Sequence, residues 1–234
     1  MKMKKYLVNC MAVMLLMSTI TACNGNENEP EGVTKHNGHE YVDLGLSVKW
    51  ATCNVGAVLP EDKGGYFAWG EVVSRDSFNY RPDEDWENYK WAFYSYGKFG
   101  KYCTDSQFGV VDNKIVLELD DDVAHVVWGG SWRMPTFDEF MELFSNSICE
   151  VHIMNDVEGV LVTSKLNGNQ IFMPCSVIDD YNTQGLYWSS SLAEYSHDAK
   201  YLLFDCSTES LNVALLHNNR LLRYAPCNVR PVLP

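Results

Sequence analysis

The rhythm of apolar and polar positions changes several times along the chain, and each change marks a different kind of segment. Residues 7–20 are almost wholly apolar, and residues 24–38 are polar and read as a linker. Residues 40–53 alternate and are rich in Val, Leu, Tyr and Trp, which predicts one or two strands. Gly64-Gly65 breaks that pattern ahead of Tyr66-Phe67-Ala68-Trp69-Gly70-Glu71. Residues 72–127 show no clean period of 2 or 3.6, although residues 78–102 are dense in aromatic side chains. This stretch is expected to be a long, mostly irregular excursion with short helical turns.

The clearest helix signal follows. Thr136 suits an N-cap, Glu139 falls at N3 and completes a capping box, and Pro135 with Phe140 can form a hydrophobic staple. Phe137, Phe140, Met141 and Phe144 then recur on one face, so the helix should run to about Ser147. Beyond it the pattern is strand-like. Residues 159–166 and 169–173 flank Asn167-Gly168, a strong hairpin signal. Residues 186–190, 199–206, 210–217 and 227–233 read as further strands, with turns at Glu209-Ser210 and Asn218-Asn219. Strands, long loops, one or two helices and then a meander make the fold class α+β.

The N-terminus changes the picture most. Lys2, Lys4 and Lys5 precede the apolar run, which is too short to span a bilayer comfortably. The run ends in Ile20-Thr21-Ala22-Cys23, the pattern of a bacterial lipobox, in which small residues fit the peptidase and the cysteine thiol takes the diacylglycerol. The expectation is a signal peptide over residues 1–22, a lipidated flexible tether over 23–38 and one domain over 39–234. Several acyl chains on Cys23 would make a durable anchor in the cell envelope, as an outer-membrane lipoprotein. The net charge is −13, and removing the three leader lysines makes it more negative, so nucleic acid is an unsuitable partner.

Candidate chemistry is sparse. Beyond Cys23 the chain has Cys53, Cys103, Cys149, Cys175, Cys206 and Cys227, and spacing alone does not choose a pairing or exclude free thiols. No C-x-x-C pair occurs, and only His152 lies close to a cysteine, so zinc is unsupported. Acidic clusters at Asp83-Glu84-Asp85, Asp120-Asp121-Asp122 and Asp179-Asp180 lack the order of a calcium loop and read as solvated loops. Ser189, Ser190 and Ser191 have no Gly-x-Ser-x-Gly around them. Trp132, Arg133, Trp188 and Arg230 could line a cleft. The favoured reading makes the tryptophans core and the arginines buried partners of a carboxylate such as Asp138 or Glu139. The best binding candidates are Tyr181, Asn182, Tyr195, His197, Asp198, Asn218, Asn219, Arg220 and Tyr224, in or beside the meander turns. Tyrosine gives rigid contact area and asparagine adaptable hydrogen bonds. The rival location is the aromatic stretch 78–102.

Several phrases occur together and in order. They are Tyr41-Val42-Asp43-Leu44-Gly45-Leu46, Trp50-Ala51-Thr52-Cys53-Asn54-Val55-Gly56-Ala57, Gly65-Tyr66-Phe67-Ala68-Trp69-Gly70-Glu71, Lys101-Tyr102-Cys103, Trp128-Gly129-Gly130-Ser131-Trp132-Arg133-Met134-Pro135-Thr136, Tyr187-Trp188-Ser189-Ser190-Ser191 and Val229-Arg230-Pro231-Val232. Over residues 39–234 the chain thereby resembles the Fibrobacter-type major paralogous domain, found in lipoproteins of gut bacteria. The resemblance implies a branch of the C-type-lectin-like fold, related to formylglycine-generating enzymes and to the variable proteins of diversity-generating retroelements. It departs from the family at Ser47-Val48-Lys49 and at residues 221–228, which puts a shared ligand in doubt. An enzyme of the formylglycine-generating kind would need late cysteines close in sequence to hold copper. The wide spacing of Cys206 and Cys227 suits a disulfide between neighbouring strands better. The expected function is a non-catalytic surface binding module for a glycan or protein, needing no cofactor or metal. The alternatives are an accessory or tip subunit of a cell-surface assembly, a diversified receptor, and an enzyme.

Overall fold

The computed structural model describes residues 33–75, 81–93, 95–178, 183–206, 212–214 and 220–234. Three antiparallel sheets and three short α-helices carry the fold of these residues, so the α+β class holds. The first sheet opens with β1 (Val33–His36) and β2 (His39–Val42). Asn37 and Gly38 join them at φ of 48° and 85°, the left-handed pair that a two-residue hairpin turn requires. β3 (Lys49–Ala51) follows, and the C-terminal β12 (Val232–Leu233) pairs with it, giving the order β1-β2-β3-β12. The linker expected up to residue 38 therefore gives way to a strand at Val33, because Asn37-Gly38 is a hairpin signal in its own right.

The second sheet is β4 (Ser147–Met154), β5 (Val157–Ser164) and β6 (Gln170–Pro174) in sequence order. The Asn167-Gly168 turn joins β5 to β6 as expected, though as a wider loop closed by the Ser164 N–H on the Asn169 carbonyl. β4 was not expected. The chain turns straight from the helix into it, so the helix ends at Ser145 and not at Ser147.

The third sheet holds β7 (Val177–Ile178), β8 (Thr183–Leu192), β9 (Asp198–Asp205), β10 (Asn212–Ala214) and β11 (Arg220–Leu222). β7 to β10 form the expected meander, but β11 returns to pair with β9, Arg220 opposite Lys200. Arg220 is thus the first residue of a strand. The strand expected over 227–233 shrinks to β12, because residues 227 and 228 make isolated bridges to Phe67 and Tyr187 instead of joining a ladder.

The helices are α1 (Pro82–Glu87), α2 (Val123–Trp128) and α3 (Phe137–Ser145). α3 starts with the full capping box: Thr136 Oγ1 accepts from Glu139 N, and Glu139 accepts from Thr136 N at 2.7 Å. Its buried face is Phe137, Phe140, Leu143 and Phe144. Leu143 takes the place expected of Met141, which is half-buried.

Two large apolar clusters form the core. One gathers Trp69, Trp132, Trp188, Cys227 and Val229, and the other Trp50, Phe140, Tyr187, Phe204, Cys175 and Cys206. The pairing that spacing left open is narrowed by this division, which does not favour Cys206 with Cys227. They sit in different clusters, and the Cys206 thiol faces that of Cys175. Trp132 and Trp188 are core, as favoured, and Arg133 forks onto Glu139 at 2.8 and 2.5 Å. Arg230 does not meet a carboxylate. It donates to the carbonyls of Ala51 and Thr52 at 3.0 and 2.8 Å and to Asn54 Oδ1 at 2.8 Å.

Candidate functional site

A third, smaller cluster lies where the aromatic excursion meets the C-terminal strands. Trp86, from α1, is its centre. Phe99 and Tyr224 meet the Trp86 ring edge-on at 5.3 and 5.6 Å, and Tyr96 lies tilted at 5.1 Å. The Tyr96 and Tyr224 hydroxyls are 3.1 Å apart. Each of the buried rings, Trp86, Phe99 and Tyr224, contributes about 1.5–3 kcal/mol, which explains how a segment without regular periodicity keeps one shape. These rings do not fill the space between them. A cleft of about 190 Å³ remains, lined by Trp86, Tyr96, Gly97, Phe99 and Phe108 on one side and by His197, Leu222 and Tyr224 on the other.

A ladder of flat groups leads from the surface to this cleft. The Arg220 guanidinium lies 4.7 Å over the Tyr195 ring, Tyr195 stacks on His197 at 5.7 Å and 17°, and His197 meets Phe108 at 5.1 Å. Asp198 stands behind the ladder, 3.4 Å from both His197 Nε2 and Arg220 Nε. Burial pushes the Asp198 carboxyl up from the ordinary carboxylate range, against the pull of His197 and Arg220.

Arg223 holds both sides of the cleft together. It is fully buried, and the nearest of four surrounding rings is Phe99 at 4.3 Å, followed by Trp69, Tyr89 and Tyr102. Its guanidinium donates to the carbonyls of Lys101, Tyr102 and Ser196 at 2.9–3.0 Å and to the Tyr89 hydroxyl at 3.1 Å. Lys101 and Tyr102 belong to the excursion, and Ser196 lies between Tyr195 and His197. One cation therefore sets the spacing of the two walls. Burial raises the Tyr89 phenol to about 12, opposed by Arg223, so it remains a neutral hydroxyl.

Of the nine residues expected to bind, Tyr195, His197, Asp198 and Arg220 come together as described, and Tyr224 lines the cleft. Two of these roles need correction. Asp198 is 6 % exposed and holds its neighbours in place, because it opens β9 beneath them. Tyr224 is 2 % exposed and is a cleft wall, not a projecting anchor, because the excursion covers it. Tyr195, at 41 %, and Tyr96, at 62 %, are the exposed aromatic residues of the site. Tyr181, Asn182, Asn218, Asn219 and Cys23 lie outside the described residues. Arg223 was not anticipated; its partners are backbone carbonyls distant in sequence, which leave no motif.

Asp179 and Asp180 also lie outside the described residues, and several of the remaining sequence candidates are engaged structurally. Asp121 binds Lys90 and Lys101 at 2.8 and 2.5 Å and accepts from the Tyr102 hydroxyl at 2.6 Å. Burial works against its charge, but these partners win and hold its carboxyl below the ordinary range. Asp122 caps α2 through Ala124 N and His125 N and also accepts from Met134 N. Asp85 pairs with Arg75. Among the described residues no group of three or more His, Cys, Asp or Glu side chains could hold a metal ion. The serine hydroxyls hold backbone: Ser189 donates to Lys200 O, Ser190 to Pro135 O, and Ser191 accepts from Phe137 N.

Two larger hollows, of about 530 and 450 Å³, lie on other faces. The first offers mainly glycine backbone and aliphatic side chains; the second is a mixed groove in which Ala57, Val58, Leu59 and Trp128 face Lys35, His39, Glu40 and Cys53. The second carries one stacked pair, His39 on Trp128 at 3.8 Å, whereas the smaller cleft is walled by rings from α1, from residues 96–108 and from the C-terminal strands. Comparison with family models, with curated proteins and with solved structures yields no match for this chain.

Proposed function

We propose that this chain is a cell-envelope lipoprotein, anchored in the outer membrane through Cys23, whose domain binds a glycan or protein ligand without catalysis. The family resemblance of its motifs and an α+β framework with long irregular segments support a C-type-lectin-like domain of the major paralogous kind. The observation that carries the binding reading is the cleft. Rings from the excursion and from the C-terminal strands converge on a space of about 190 Å³, with the Arg220–Tyr195–His197 ladder at its edge. A cavity of this size takes one flat or compact group, such as a sugar ring or a single side chain of a protein. Aromatic walls are the usual source of binding energy at such a point.

The test starts from glycan and protein arrays probed with the soluble domain. Tyr96→Ala together with Tyr195→Ala should abolish capture of the strongest hit while the melting temperature stays within a few degrees. A double variant that binds as the parent does would remove the cleft from the proposal. Anchoring is tested separately. Cys23→Ala should leave the protein in the soluble fraction or as an unprocessed precursor, and a processed, membrane-bound variant would refute the lipoprotein reading. The alternative role, a subunit of a surface assembly, draws support from β4. It is an edge strand with Ile148 and Ile153 exposed, which suits pairing with another chain.

A further inference from the structure

We infer that Cys175 and Cys206 are a disulfide site, oxidised by thiol–disulfide exchange with a small-molecule or protein disulfide donor. The sulfurs are 3.3 Å apart. Both side chains are buried, in the cluster with Val160, Tyr187 and Phe204. The backbone places them on either side of the start of β8. Cys206 N–H donates to the Thr183 carbonyl at 2.8 Å, and the Cys175 thiol lies 3.5 Å from that same oxygen. Cys175 N–H is in turn held by Glu158 O at 2.8 Å. A disulfide needs the sulfurs at about 2.05 Å, so the pair must close by about 1.3 Å, within reach of small side-chain and backbone adjustments.

The remaining thiols are placed differently. Cys103 donates to Asp105 O at 3.0 Å, and Cys53 lies 3.6 Å from Thr52 Oγ1 and from Val58 O. Cys227 is enclosed in the other large cluster, and Cys149 is on β4. Cys175 and Cys206 are thus the one cysteine pair in thiol–thiol contact among the described residues.

The exchange balances without a metal. One cysteine thiolate attacks the donor disulfide and releases a donor thiol. The second cysteine then attacks the mixed disulfide, forms the Cys175–Cys206 bond and releases the other donor thiol. Two protein thiols are oxidised and one donor disulfide is reduced to two thiols. Hydrogen bonding to Cys206 and burial hold the Cys175 thiol far above its ordinary range, so thiolate is scarce in the folded chain. Exchange therefore accompanies folding or local opening. The bond closes a loop of roughly 30 residues containing β8, Tyr195 and His197, and so constrains the segment that carries one wall of the cleft. The inference stands whether or not the cleft binds a ligand.

The experiment unfolds the reduced protein, refolds it with oxidised glutathione, blocks remaining thiols and digests it without reductant for mass spectrometry. The expected product is one linked pair of peptides, containing Cys175 and Cys206 and two hydrogens lighter than their sum. The oxidised protein should melt roughly 10 °C higher than the same protein in dithiothreitol. Cys175→Ser with Cys206→Ser should erase that difference. Both cysteines recovered as blocked thiols, carrying glutathione without a link, or joined to other cysteines would each overturn the inference. The peptide analysis uses the unaltered chain, so it decides the question even if the serine variant does not fold.

Discussion

Arg230 and Arg223 are both fully buried and neither meets a carboxylate, yet they stabilise their surroundings in opposite ways. Arg230 sits among strands. Its partners Ala51, Thr52 and Asn54 are at the end of β3 and just beyond, and Pro231 O accepts from Ala51 N beside it. Its neighbourhood would remain largely defined by ladders and by the Trp50 cluster without the charge. Arg223 sits among loops. Lys101, Tyr102 and Ser196 belong to no helix or strand, and their carbonyls have the guanidinium as a shared anchor. A guanidinium with several donors in a fixed fork can bind carbonyls from separate segments at once, which a lysine cannot match. A strand frame thus uses a buried cation to close a gap in an ordered surface, whereas an irregular segment uses one to acquire its order. The candidate site lies on the second kind of ground, where shape depends on a few contacts.

That contrast is most directly broken by Arg230→Met. Three buried acceptors lose their donor in a frame that cannot open to water locally, so the loss should fall on global stability, about 3–5 kcal/mol in urea unfolding. Arg223→Met also leaves three carbonyls unpaired, but loops can turn outward and hydrate. Its expected loss is smaller, about 2–3 kcal/mol. It should appear as faster amide exchange confined to residues 95–110 and 194–198, together with loss of ligand capture. Equal global losses, with no local signature for Arg223, would show that the two regions are not built differently.

The same contrast explains how much could be read from the chain. The start of α3 was readable because a capping box is complete within four residues, Thr136 to Glu139. The β5–β6 hairpin was readable because Asn167-Gly168 marks it locally, and Asn37-Gly38 carried the same mark for β1–β2 within a stretch that otherwise read as linker. β4 was missed although Cys149 and Val151 alternate with Glu150 and His152, since an edge strand shows only weak burial contrast. At the candidate site, residue type and turn context pointed to Tyr195, His197, Asp198 and Arg220, which the structure places beside one another. What could not be found is Arg223 and the joining of residues 86–108 to residues 195–224. That union depends on ring contacts such as Trp86 with Tyr224 and on the hydrogen bonds from Arg223 to the Lys101 and Tyr102 carbonyls, all far apart in sequence, and no local pattern encodes them.

A smaller effect sharpens the frame side. Thr136→Ala removes the hydroxyl that accepts from Glu139 N, and it also loosens the Glu139 carboxylate that receives Thr136 N and the Arg133 fork. The cost should be about 1 kcal/mol, as for other N-caps, read as a shift of the urea midpoint with an unchanged slope. Amide exchange at the cleft should stay as in the parent, because α3 belongs to the Trp50 cluster and not to the ring cluster. Faster exchange at residues 95–110 in this variant would mean that frame and loops are coupled.

The smallest expected effect concerns the sign of pH dependence at two carboxylates near the loops. Asp121 is held low by Lys101, Lys90 and Tyr102 despite its burial. Its contribution is therefore present above the unfolded carboxylate range and is lost as pH falls below about 4. Asp198 is the reverse. Burial raises it, and His197 and Arg220 only partly compensate, His197 doing so only while protonated. The unfolded chain gives up this proton first, so as pH rises from about 4 through the raised value the folded state loses ground. Asp198→Asn removes the titrating group and keeps the shape. Relative to the parent, the variant should become steadily more stable from about pH 4.5 to about pH 7, because the parent alone has a buried carboxyl that must ionise over that range. Asp121→Asn should be less stable than the parent at neutral pH and lose that difference at the acid end, where the parent has given up the contribution that the variant lacks, so the two curves converge as pH falls. Urea unfolding of the three proteins at several pH values separates these cases. An Asp198→Asn curve that falls away from the parent with rising pH would mean that the ladder's cations outweigh burial, and that the carboxylate under Tyr195 and His197 is a stabilising partner of the kind Asp121 is.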